Sequence, residues 1–287
     1  MSVLGKCFGI GLVIVASVAT SKSYSGPVSF AGIPWEANGC AALVEDTLRL
    51  VPLQLSDCAN PVEGLHHSNR NRQGSAFMKR RFRFVERASY SIHFSFGGLQ
   101  SDGLALIFQD DSRGFNAIGG GGGNLGYSGD MVDILQSVIV EFDGFQNTWD
   151  PSHNHIGLNV NALKTSIVSS ASPFDFETNF SKYVWVDYDG YRNIIDVFIS
   201  DNAIKPVNST LSKEINISSV VGDSGYIGFS SATGARFDNV DIESFSMSFT
   251  RVSEPGMSSS LLIGFGITYL TMFRPSRSRG SNLPPSA

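Results

Sequence analysis

Between Ser137 and Val160 an apolar run leads into Glu141-Phe142-Asp143-Gly144-Phe145-Gln146-Asn147-Thr148-Trp149-Asp150, then through Pro151-Ser152-His153-Asn154 to His155-Ile156-Gly157. Side chains alternate along a strand, so Glu141 and Asp143 share one face, and the turn signalled by Asp150-Pro151 brings Asp150 and His155 back toward it. Carboxylates gathered at the end of an apolar strand are costly, because a desolvated, unpaired charge either destabilises the fold or takes up a proton. A cation removes that cost. Imidazole with carboxylates suits manganese or another transition ion, whereas carboxylates with an Asn147 amide and backbone carbonyls suit calcium. A solvated acidic loop is the plain alternative, and the burial expected of Glu141 and Asp143 argues against it.

Such a cluster needs rigid strands to hold it. Apolar and aromatic residues come in short, mostly alternating runs: Phe82 to Val85, Tyr90 to Phe96, Leu104 to Phe108, Val138 to Phe142, Ile156 to Val160, Tyr183 to Val186, Ile194 to Ile199, Tyr226 to Phe229 and Phe245 to Phe249. No stretch of helical length shows a clear 3.6-residue period. Many strands without crossover helices predict an all-β fold, an antiparallel β-sandwich or jelly roll. The polar segment from Cys58 to Gln73 reads as a surface loop. The run Gly119 to Gly123 is the one stretch of low complexity.

At 287 residues and 42% hydrophobic content, the chain suits one large domain with tails. Lys6, the apolar run Phe8 to Ala19 and the small residues through Ser23 have the form of a secretory signal peptide, residues 1–23. Without Lys6, Lys22, Arg274, Arg277 and Arg279 at the two ends, 16 of the 21 Lys+Arg remain against 26 Asp+Glu, a net charge near −10. That balance disfavours nucleic acid as a partner. Cys7 lies in the signal, which leaves Cys40 and Cys58 as an even pair in an exported chain and predicts a disulfide.

Glu-x-Asp-x-Phe-x-Asn, then Trp-Asp-Pro, then His-Ile-Gly resembles the metal-binding signature of legume-type (L-type) lectins, including the spacing from Asp150 to His155. The resemblance covers roughly residues 27–250. It implies a legume-lectin β-sandwich over 24–251, with Glu141 and His155 on Mn2+ or another transition metal and Asp143 and Asp150 bridging both ions. Asn147 and the backbone carbonyl of Phe145 would complete Ca2+. His153 falls outside the pattern. Ser101-Asp102-Gly103 and Gly123-Asn124-Leu125-Gly126 are similar to the family's sugar-site segments. A sugar needs directional acceptors, donors and an apolar plane, and the resemblance assigns these to Asp102, Asn147, the N–H of Gly123 and the ring of Phe145. It further implies a cis peptide before Asp102. Ala235 and Arg236, after Gly228 to Gly234, fall at the specificity position.

The implied function is a metal-dependent carbohydrate-binding lectin, not an enzyme. Jelly-roll β-glucanases place Glu-x-Asp-x-x-Glu on a strand, and here the last position is Gln146, which cannot act as a carboxylic acid. A glycoside hydrolase and a ligand-free exopolysaccharide matrix protein remain the alternatives. At the C-terminus, Val252-Ser253-Glu254-Pro255, the apolar stretch Leu261 to Phe273 and the following arginines resemble a PEP-CTERM sorting signal over 252–287. Such a signal implies an exosortase-type processing enzyme, transient membrane contact, and a final place on the surface or in the matrix of a Gram-negative bacterium. The departure from Val-Pro-Glu-Pro leaves a simple membrane anchor as the other reading.

Overall fold

A computed structural model describes residues 27–250 apart from 29, 33, 55–57, 59–70, 98–100, 130–131, 177–180 and 235–237. The expected signal and sorting segments, Ala235 and Arg236 lie outside the described residues.

Among the described residues there are sixteen strands: β1 Pro27–Val28, β2 Trp35–Gly39, β3 Ala42–Val44, β4 Thr47–Val51, β5 Arg72–Met78, β6 Phe82–Arg83, β7 Arg87–Phe96, β8 Gly103–Gln109, β9 Ser137–Asp143, β10 His155–Val160, β11 Val168–Ala171, β12 Ser181–Asp189, β13 Ile194–Ser200, β14 Leu211–Glu214, β15 Ser224–Thr233 and β16 Val240–Thr250. One short helix, α1 Ile217–Val221, is capped by the Asn216 side chain, which accepts from the Ser219 N–H. The strands form two antiparallel sheets. A front sheet runs β11-β10-β9-β8-β15-β5-β2 with β6 on β15, and a back sheet runs β14-β13-β12-β7-β16-β4-β3 with β1 on β16. The expected all-β antiparallel sandwich is the observed fold.

Burial explains why the strands look different in sequence. On the back sheet β7 and β12 alternate buried with half-exposed residues, since only one face meets the core. On the front sheet β8 and β9 are buried throughout. Their inner residues pack on the back sheet, as where Phe142 meets Phe94 at 5.6 Å and Phe108 meets Tyr90 at 5.2 Å. Their outer residues Ala105, Ile107 and Ile139 lie in a second apolar cluster with Leu125, Tyr127 and Ile134. The segment between β8 and β9 therefore folds back over the front sheet and covers it. Leu104 to Phe108 and Val138 to Val140 are continuous apolar runs for that reason.

The expected loop from Cys58 to Gln73 is corrected at its end. Arg72 and Gln73 are buried residues of β5, and the Arg72 guanidinium donates to the carbonyls of Pro52 and Leu53. A buried, hydrogen-bonded arginine has the sequence signature of a surface one. Next to it, Gly74 lies where a Cβ would come within 1.9 Å of the Leu50 carbonyl oxygen, so the close approach of β4 to β5 requires glycine.

Cys40 and Cys58 form a disulfide with Cα atoms 4.1 Å apart, closing an 18-residue separation. A bridge over a loop of this size contributes about 3 kcal/mol. Cys40→Ser with Cys58→Ser should accordingly lower the melting temperature by roughly 6–12 °C at unchanged far-UV dichroism. An unchanged melting curve would remove the bridge from the account of stability.

Candidate functional site

Register fixes the acidic cluster. β9 lies between β8 and β10, so Asp143 stands opposite Gly103 on one side and His155 on the other, while Glu141 stands opposite Ala105 and Gly157. Small neighbours make room for the carboxylates. A Cβ on Gly157 would sit 2.3 Å from both Glu141 Oε1 and Ser166 Oγ. Gly103, at φ +144°, would place a Cβ 2.3 Å from the Phe142 carbonyl oxygen. Any larger residue at either position would push β8 or β10 away from the acid-bearing strand.

Glu141, Asp143 and His155 are each no more than 2% exposed, and Asp150 is half-buried. Candidate ligand atoms of Asp143, Asp150 and His155 all lie within 4.8 Å of one another, and His155 Nε2 is 3.4 Å from Glu141 Oε1. His155 Nδ1 faces the Ser152 carbonyl oxygen at 3.1 Å. A carbonyl only accepts, so Nδ1 carries a hydrogen and Nε2 is the ring nitrogen directed at the carboxylates. Nε2 is buried and has no hydrogen-bond partner. Burial and then the neighbouring Asp150 push the Asp143 carboxyl up to about 9, and burial raises Asp150 as well. Three carboxylates around an imidazole nitrogen without a hydrogen-bond partner are a donor set that fits a cation.

The loop after β9 is tied to the same carboxylates. Asp143 accepts from the Phe145 N–H at 2.8 Å, and Asp150 accepts from the Asn147 N–H at 2.6 Å. The Asn147 amide nitrogen donates to the Phe145 carbonyl oxygen at 3.3 Å, which ties these two loop residues to each other. Gln146 and His153 are exposed.

Sequence reasoning missed the groups that hold Glu141. Its Oε2 accepts from the Tyr127 hydroxyl at 2.6 Å and from the Asn159 amide at 3.1 Å, and its Oε1 accepts from Ser166 Oγ at 2.6 Å. Asn159 carried a signal, because it shares a strand face with His155 and Gly157 in an otherwise apolar run. Tyr127 and Ser166 carried none, being far from the motif in sequence.

The structure brings Asp102, Gly123 and Asn147 to the same end of the front sheet. Asp102 immediately precedes β8, and its carbonyl accepts from the Gly144 N–H at 2.9 Å, which ties it to the residue after Asp143. Its carboxylate is buried beside Gly234 at the end of β15, where a Cβ on that glycine would be 3.0 Å from Oδ2. Burial pushes Asp102 up to about 6, and the hydrogen bond from the Gly234 backbone opposes the rise. The described residues contain no cis peptide, so the expected cis bond before Asp102 is corrected. The bond is trans, and the Gly144 contact together with the φ of Gly103 positions the side chain instead.

Gly123 packs against Asn147 so closely that a Cβ would be 2.2 Å from the amide nitrogen. The glycine run is ordered, with the N–H groups of Gly119 and Gly120 donating to Gly126 and Ser128 at 2.7 and 2.6 Å. Phe145 is 36% exposed, two residues before Asn147 on the loop after β9. Asp102, Gly123, Asn147 and Phe145 thus come from three separate loops to one rim, directly outside the carboxylate cluster.

Comparison with known proteins agrees with this architecture. A model of the legume lectin domain matches residues 44–262. Lectin 1 of Medicago truncatula is 38% identical over 113 residues, 39% of each chain. The L-type lectin-domain containing receptor kinase VIII.2 of Arabidopsis thaliana is 31% identical over 174 residues, 56% of this chain and 24% of the kinase. The chain therefore spans between about a quarter and two fifths of the length of these two relatives. The solved structure of a Bauhinia forficata lectin in complex with GalNAc superposes with a TM-score of 0.63 at 24% identity, covering 82% of this chain and 100% of that one. With its matched domain and the sandwich that carries it, the chain belongs to the legume lectin domain family.

Proposed function

We propose that the chain is a metal-dependent carbohydrate-binding lectin of an exported bacterial protein. The observation that carries this reading is the convergence of the Asp102 carboxylate, the Gly123 backbone and the Asn147 amide on the rim of a buried, unpaired cation-fitting cluster. Glu141, Asp143, Asp150 and His155 would hold Mn2+ or another transition ion. Asp143, Asp150, Asn147 and the Phe145 carbonyl would hold Ca2+. When bound, the ions would supply positive charge that neutralises the carboxylates.

The sugar contacts fall to the protein's own groups. Asp102 accepts from paired hydroxyls, the Gly123 N–H and the Asn147 amide donate, and the Phe145 ring supplies an apolar plane. Ala235 and Arg236, outside the described residues, are the positions to which the resemblance gives sugar specificity. A non-enzymatic role is supported by the exposed Gln146 at the position where a glycanase of this strand pattern keeps its second carboxylic acid. The lectin from Bauhinia forficata is described with GalNAc, which makes GalNAc and galactose the first sugars to test. An export signal at residues 1–23 and exosortase processing with transient membrane contact at 252–287 would place this lectin on the cell surface or in its matrix. Among the described residues no helix is long and apolar enough to cross a membrane.

Asp102→Ala should abolish sugar binding in calorimetric titration while metal content and melting temperature stay nearly unchanged, since hydroxyls left unpaired cost about 1–3 kcal/mol each. Asp143→Ala should lose metal, sugar binding and several degrees of melting temperature together. Normal sugar affinity of Asp143→Ala in chelator would overturn metal dependence.

Stability should also depend on pH in opposite senses with and without metal. Folded Asp143 and Asp102 hold their protons up to about 9 and about 6, above the ordinary value of 3.8. In chelator the folded state thus binds more protons than the unfolded one, and stability is lost as pH rises through this window. With calcium and manganese present the ligands must be deprotonated, and stability should rise with pH instead. Melting curves from pH 4 to 9 with identical slopes in both conditions would count against a cation at this site.

A further inference from the structure

The outer face of the back sheet, on the other side of the sandwich, carries a set of groups that the lectin rim does not use. On β12 Tyr183 and Trp185 are outward-facing neighbours. Across the strands, Tyr183 is opposite His93 and Ser200, and Trp185 is opposite Ser91 and Phe198. The rings of His93 and Tyr183 stack at 4.2 Å and 3°, and the Lys205 amino group sits 4.2 Å over the ring of Phe198. Trp185 is half-buried between them and makes no stacking contact or hydrogen bond among the described residues. With only a serine opposite on β7, its indole is left accessible from that side.

The aromatic strip runs into a cavity of about 320 Å³ whose lining includes Ser89, Asp187, Arg192, Asp196 and Ser248. Asp187 and Asp196 oppose each other across β12 and β13, a like-charge pairing that is unfavourable unless compensated. Asp187 is compensated, accepting from Ser89 Oγ at 2.6 Å and pairing with Lys205. Asp196 has no ion-pair or hydrogen-bond partner for its carboxylate among the described residues, and neither does the guanidinium of Arg192. The cavity therefore offers a free acceptor, free donors and hydroxyls that do both, next to an apolar ring plane.

Each ring position of a polysaccharide presents that combination, an apolar face with hydroxyl donors and acceptors around its edge. A polyanion is disfavoured by the carboxylates, and a purely apolar partner would leave Asp196 and Arg192 desolvated without partners. We propose that this face is a second carbohydrate-binding surface, independent of metal, on which a polysaccharide chain lies across β7, β12 and β13 with one ring against Trp185 and a neighbouring unit in the cavity. The protein would then hold glycans on both faces of the sandwich.

Native electrophoresis of the full chain through gels containing dextran, galactomannan or laminarin, all in EDTA, tests this. Wild type and Asp102→Ala should both be retarded in at least one gel. Trp185→Ala should weaken that retardation about tenfold in apparent association constant, Trp185→Phe should restore most of it, and Asp196→Asn should weaken it without changing the melting curve. Chelator-resistant retardation separates this surface from the rim, whose failure would show only in the metal-loaded sugar titration. Absence of retardation in all three gels, equal retardation of wild type, Trp185→Ala and Asp196→Asn, or loss in Asp102→Ala would each overturn the proposal. So would sedimentation of the wild type as a dimer that Trp185→Ala dissociates with no effect on polysaccharide, which would assign the face to a second copy of the chain.

Discussion

The crowding of Asp143 against Asp150 and Glu141 is the constraint on which the upper end of the front sheet depends. A chain that buries three carboxylates together gains nothing from their mutual repulsion, and left alone it must protonate one of them. The surrounding structure accepts this cost and holds the groups together anyway. Backbone N–H groups of Phe145 and Asn147, three side-chain donors on Glu141 and a histidine of fixed tautomer all converge on them. So many fixed donors around like charges make sense when a divalent charge completes the set.

The rest of the rim inherits its geometry from that cluster. Asp102 is one residue from Gly103, the β8 partner of Asp143, and is hydrogen-bonded to Gly144. Asn147 is bonded to Asp150 and packs on Gly123. Movement of the acidic strand end would therefore reach two of the rim residues through a single bond each. Glycines at 103, 123, 157 and 234 keep these contacts short, and they constrain the site as strictly as the polar residues do.

Much of this was legible in the sequence, for identifiable reasons. The back-sheet strands β7 and β12 announced themselves by alternation, and the acidic cluster by chemically costly types at fixed spacing within a few residues of one another. What escaped had local signals of the wrong kind or none. Arg72 reads as surface and is buried. Short strands such as Ala42–Val44, Val168–Ala171 and Leu211–Glu214 lie at sheet edges, where polar residues are tolerated and periodicity fades. The glycine run carries no information on its own, and becomes an ordered loop only because β9 and β15 stand beside it. Tyr127 and Ser166 reach Glu141 from 14 and 25 residues away, a relation that only the folded register creates.

The rim is assembled from segments near positions 102, 123, 147 and 234, the last of them delivered by β15, which inserts between β5 and β8. Strands from early and late in the chain must therefore pair before any of it exists, a topology of long sequence separations that folds slowly. Ligand competence is thus a property of the finished molecule alone. A partly folded or truncated chain can have most of its sheets and no rim, so under the proposed function retention on an immobilised sugar would sort complete molecules from incomplete ones.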